Sequence, residues 1–155
     1  MIQLNILENK DFTRKLFLED TFDNFLITEA EFKTMYTVSL RGSLLHPEEG
    51  KEEFITWKEV RPLAFQIIKG NRIPESFRVI LRLSDVNRQK TLASIGLPEA
   101  PVSGFYMNIR FEGSKLAVVT GCSFSAFSMD KTPEKEWDEI TRRFFRHHQI
   151  PFEEA

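Results

Sequence analysis

Apolar and polar positions alternate in one part of the chain and recur every three to four residues in another, and the two rhythms divide it into elements. Residues 2–7 (IQLNIL) alternate and predict a short strand. Asp11 is placed to cap a helix reaching about Leu18, with Phe12 and Leu16 on one side. Residues 25–32 and 35–42, rich in Thr, Val, Ile and Tyr, predict two strands joined closely enough for a hairpin. The stretch 46–53 (HPEEGKEE) is polar, contains Pro and Gly, and predicts a loop. Thr56 and Glu59 have the spacing of a capping box, and Trp57, Val60, Ala64, Phe65 and Ile68 form the apolar stripe of the helix behind it. Pro62 lacks the N–H that Lys58 would receive, which predicts a kink or a later start, and Gly70 ends the element.

The second half reads in the same way. Residues 76–84 predict a strand with Phe77, Val79, Leu81 and Leu83 on one face and Arg78, Ile80 and Arg82 on the other. A helix over 85–95 is capped by Ser84 or Asp85, and 97–104 is a loop. Residues 105–111 alternate, 112–114 turn tightly, 115–121 form the returning strand, and a further strand covers about 123–129. Thr132 and Pro133 open the last helix, which Ile150-Pro151 closes.

Both tryptophans stand in front of the same pattern, and the segments WKEVRPLAF and WDEITRRFF align at an offset of 80 residues. Trp57 meets Trp137, Glu59 meets Glu139, Val60 meets Ile140 and Phe65 meets Phe145, so both stripes share one phase. The expected fold is α+β: a curved antiparallel sheet of about six to seven strands with helices on one face, built from a duplicated strand–helix–strands–helix unit. The 155 residues form a single domain with halves of about 1–72 and 73–155. That plan resembles, in topology alone, the saddle of the TATA-box-binding protein, and such a likeness carries no function. At sequence level TFDNFLITEA (21–30), WKEVRPLAFQIIKG (57–70) and the spacing to the final tryptophan helix resemble an uncharacterised family of Gram-positive gut bacteria. The resemblance spans nearly the whole chain, rests on structural motifs, and implies no activity and no catalytic residue.

Composition narrows the chemistry. The 15 phenylalanines carry no polar handle and supply a core. No stretch has the length and apolarity of a membrane span, and the N-terminus lacks a basic segment followed by an apolar one, so no signal peptide is expected. The lone Cys122 excludes an internal disulfide, which suits the cytoplasm, and its apolar surroundings predict an inert buried thiol. Net charge is −2, but residues 58–90 hold eight basic against three acidic side chains, a locally basic stretch able to attract polyanions.

Catalytic signatures are missing. There is no phosphate-cradling loop, no G-x-G-x-x-G and no G-x-S-x-G elbow. His147 and His148 are adjacent, which points them apart on a helix and favours a role at its C-terminus over a metal. No metal, cofactor or catalytic residue is assigned. If helices mask one sheet face, period-two alternation puts Thr37, Ser39, Arg41, Arg78, Arg82, Tyr106, Asn108 and Arg110 on the other. Of these Arg41, Arg78, Arg82, Tyr106, Asn108 and Arg110 form the candidate binding face of a non-catalytic adaptor, with an acidic protein surface or nucleic acid as partner. Glu29, Glu31 and Glu112 weigh against nucleic acid. A small enzyme sited between the halves, using Glu29 or Glu31 with His46, is the remaining alternative.

Overall fold

The computed structural model describes residues 1–70 and 74–155. The proposed boundary between halves, at 72 and 73, lies outside the described residues. The elements run β1 (Gln3–Ile6), α1 (Asn9–Phe17), β2 (Leu26–Lys33), β3 (Thr37–Arg41), α2 (Trp57–Ile68), β4 (Ser76–Arg82), α3 (Asp85–Ser94), β5 (Val102–Glu112), β6 (Lys115–Phe124), α4 (Thr132–His147) and β7 (Phe152–Glu154). The seven strands form one sheet in the order β3-β2-β4-β5-β6-β1-β7, and every neighbouring pair is antiparallel. The fold is α+β, as the alternation predicted.

One face of the sheet is apolar because alternation runs in step across the strands. Val79 lies beside Ile109, Ile109 beside Val118, and Val118 beside Leu4. These four are fully buried. Helices α1, α2 and α4 cover this face. Phe17 of α1 meets Phe32 and Phe77 edge-on or tilted, Trp57 of α2 meets Phe17, and Trp137 of α4 stacks on Phe105 at 5.4 Å. Helix α3 packs against β5 at the sheet's end and adds Leu92 to the same core. Residues of both halves make one continuous cluster. Burying a large apolar side chain contributes about 1.5–3 kcal/mol, so this phenylalanine-rich layer is the main source of stability.

Local expectations fared unevenly. Thr56 caps α2, its hydroxyl accepting the Glu59 N–H at 3.4 Å, and Ser84 caps α3 by accepting from Asn87. Pro133 sits in the first turn of α4. Helix α2 runs through Pro62 without a late start. Asp11 is no cap: α1 begins at Asn9, and Asp11 sits in the first turn, where Lys15 and Arg14 bind its carboxylate and Lys15 above all holds its pKa below the usual value. The expected strand over 123–129 does not exist. Strand β6 continues to Phe124 because Gly121 and Ser123 keep their register with Tyr106 and Gly104, and 125–129 leave the sheet. Strand β7 was not foreseen. It is three residues long and is recruited by β1.

Helices α2 and α4 each bury a tryptophan, but the sheet order does not repeat between the halves. β4 stands in the middle of the sheet between β2 and β5, whereas β1 stands between β6 and β7.

Candidate functional site

The opposite face of the sheet carries no α1, α2 or α4, and its side chains follow the same register in rows. One row reads Ser39, Glu31, Arg78, Arg110, Ala117, Asn5. The next reads Arg41, Glu29, Ile80, Asn108, Val119, Gln3. A third brings Arg82 beside Tyr106 and Tyr106 beside Gly121. These residues are partly or fully exposed, while the other face is buried across its central strands and half-buried at Val38, Leu40 and Phe111. The face expected from alternation is therefore a real one, and all six candidate residues lie on it. The bulge between Ile27 and Glu29 preserves this: without it, Glu29 and Glu31 would fall out of phase with Ile80 and Arg78.

The arginines are not equally bare, which corrects the expectation. Arg82 retains only 12% of its side-chain exposure. Its guanidinium lies 4.4 Å from the Phe54 ring and 5.5 Å from the Tyr106 ring, donates to the Ser103 carbonyl, and approaches Asp85 at 3.7 Å. Phe54 reaches it because residues 53–55 fold back to pair with 42–44, and Glu52 of that segment accepts the Asp85 N–H at the start of α3. Arg78 is half-exposed and bound to Glu29 at 3.1 Å. Arg110 donates to Asn108 at 3.3 Å, and neither Arg110 nor Arg41 has a carboxylate partner among the described residues. Those two are the cations the face offers. A depression of about 230 Å³ lies between them and the sheet's end, lined by Glu31, Lys33, Arg78, Arg110 and Glu112.

Tyr106 is also committed. Its hydroxyl accepts from Ser123 at 3.2 Å, and its ring lies so close over Gly104 that a Cβ there would stand 2.5 Å from the phenolic oxygen. The ring therefore requires a glycine at 104, whereas a Cβ at Gly121 would make only ordinary contact, 3.7 Å from the Tyr106 Cβ. A tyrosine held flat in this way, with Arg82 against it, is part of the sheet's surface and is not a free platform for a base.

Other candidates come apart. Glu29 pairs with Arg78 and Glu31 approaches Lys33 at 3.8 Å, while His46 is exposed in the 44–53 segment and bonded to neither among the described residues. His147 and His148 do touch, their rings 4.9 Å apart, and the His148 ring lies tilted against Phe144 at 4.4 Å. Desolvation, with His147 nearby, lowers the His148 pKa. Among the described residues no three His, Cys, Asp or Glu side chains gather as a metal site. Cys122 is partly buried, and desolvation pushes its thiol up to about 11, so little thiolate exists near neutrality. The residues that sequence reasoning missed are Phe54 and Ser103. Phe54 borders a predicted loop, and nothing local places it over Arg82.

The profile of a family of unknown function (DUF5721) matches residues 15–153, and the chain belongs to that family. No curated protein and no solved structure matches it. No helix of the described residues is long and apolar enough to cross a membrane.

Proposed function

We propose that the protein is a non-catalytic binding module whose open sheet face receives another protein. The observation that carries this reading is the row Ser39–Glu31–Arg78–Arg110–Ala117, in which charges of both signs stand on a helix-free face beside two arginines without carboxylate partners. A surface of mixed sign fits a folded partner that brings complementary charges and covers Ile80 and Val119 between them. Nucleic acid, the second reading, would need a field of one sign and free aromatic rings. Glu29, Glu31 and Glu112 interrupt the field, and Tyr106 is occupied. A cytoplasmic setting in a bacterial cell goes with this reading, supported by the single cysteine. An origin by duplication is supported by the matched tryptophan helices. The likeness to the TATA-box-binding saddle goes no further than helices on one side and an open face on the other.

The test is affinity capture from a lysate of the native cell with immobilised wild-type chain and with Arg41→Glu/Arg110→Glu. The reading expects specific proteins retained by the wild type and reduced at least ~10-fold by the double change, since unpaired charges at an interface cost a kcal/mol or more each. Equal retention by both chains would remove the face from consideration. Retained nucleic acid that elutes on raising salt would replace this reading with the second one.

A further inference from the structure

The two edges of the sheet are finished differently. At β7 the edge is short and guarded: Arg142 of α4 binds Glu154, and the Arg146 guanidinium lies 5.9 Å from the Phe152 ring. At β3 the sequence Thr-Val-Ser-Leu-Arg has no proline, no bulge and one charge. Such an edge is a template for a further strand.

The register shows which groups it offers. Thr34 donates to the Tyr36 carbonyl at one end, and Gly42 donates to Thr28 at the other. Hydrogen-bonded pairs in an antiparallel ladder alternate. Val38 and Leu40 therefore bond to β2, and the N–H and C=O groups of Thr37, Ser39 and Arg41 point away from the sheet. Among the described residues none of these groups bonds to another element. Residues 53–55 do not cover them, because Gly42 and Leu44 bond to that segment from the β2 side.

We propose that β3 is the self-pairing edge of a symmetric dimer, two copies of β3 meeting antiparallel about Ser39 so that two seven-stranded sheets become one. The sequence is complementary to itself in that register. Ser39 meets its own copy, Thr37 meets Arg41, and Val38 meets Leu40 on the helix-covered side. All outward groups of the three residues are then bonded, whereas a shift of two residues either way leaves some unpaired within β3. No like charges stand opposite, and a two-fold axis needs a surface that matches itself in this way. The apolar side chains around the edge fit the same arrangement. Met35 and Tyr36, 71% and 68% exposed, lie at one end of β3, and Leu44 and Leu45 follow its other end. In this register Met35 and Tyr36 of one copy come level with residues 42–43 of the other, next to Leu44. The dimer would set two open faces side by side, and it is independent of what those faces bind.

Sedimentation of the full chain from about 1 to 100 µM, the range in which modest interfaces assemble, reads the proposal directly. The weight-average mass is expected to climb from 18.1 kDa toward twice that value. Ser39→Pro removes an outward N–H and no bond to β2, a change that edge strands tolerate, and is expected to weaken association at least ~10-fold with an unchanged circular dichroism spectrum. Ser39→Lys puts two ammonium groups face to face across the axis while the monomer accommodates the side chain beside Glu31, and it decides the matter if the proline variant loses its fold. Arg110→Glu, three strands in from the edge, is expected to leave the dimer intact. Amide exchange at Thr37, Ser39 and Arg41 should slow as the wild type associates. A wild type of 18.1 kDa throughout, a dimer unaffected by both Ser39 changes, or a dimer in which those amides stay fast would each overturn the proposal.

Discussion

Helices α2 and α4 carry the same stripe in the same phase and use it for different purposes. Trp57 donates its indole N–H to the Leu16 carbonyl at 2.8 Å, tying α2 to helix α1. Trp137 donates to the Tyr106 carbonyl at 2.9 Å, tying α4 to strand β5. Each helix has a second polar tie. Arg61 holds Asp23 through two hydrogen bonds of 2.8 and 3.0 Å, whereas Asp138 accepts from Thr120 of β6 at 2.6 Å. One helix is fastened to other helix and turn segments, the other to the sheet itself. An amphipathic pattern thus fixes which side of a helix is buried and leaves open what it is buried against.

The comparison can be broken most severely at the tryptophans. Trp57→Ala and Trp137→Ala should each cost about 3–5 kcal/mol in denaturant unfolding, because both side chains are fully buried and each truncation leaves a cavity the size of an indole. If only one of them approached that cost, the equivalence of the two anchors would fail. The polar ties separate the helices more finely. Arg61→Met leaves the buried Asp23 carboxylate unpaired and should cost about 2–3 kcal/mol, while Thr120→Val removes one neutral donor from Asp138 and should cost about 1–2 kcal/mol. Amide exchange should locate the first loss near α2 and the turn at 20–25, and the second along β6. The smallest effect belongs to α4 alone. The Glu154 carboxyl has a lowered pKa, chiefly from its hydrogen bond to Arg142. A depressed folded pKa contributes stability above the unfolded value, and that contribution is lost as pH falls through the folded one. Arg142→Gln should therefore speed exchange in β7 at neutral pH and make no difference once acid has protonated Glu154. A difference that persists in acid would mean that Arg142 holds the strand by packing.

Much of this was legible in the chain. Alternation in 76–84 and 105–111 assigned Arg78, Arg82, Tyr106, Asn108 and Arg110 to one face, and alternation along 35–42 added Arg41. Period two is a covalent consequence of the extended backbone, so it survives any choice of neighbour. The capping hydroxyls of Thr56 and Ser84 were legible for the same reason, since they act within one turn. Exposure was not. Arg82 reads like Arg110 in sequence, and only the return of residues 53–55 alongside 42–44 sets Phe54 over the first and leaves the second open.

By itself the sequence determined the α+β class, the two tryptophan helices and the partition of strand residues between a greasy face and a charged one, because each depends on geometry repeated every few residues. Tertiary structure alone decided that β4 enters between β2 and β5, that β1 recruits β7, and that β3 is left at the rim with the backbone groups of three residues unbonded among the described residues. Strand order follows from which distant segments close together most favourably, and no local period records that competition.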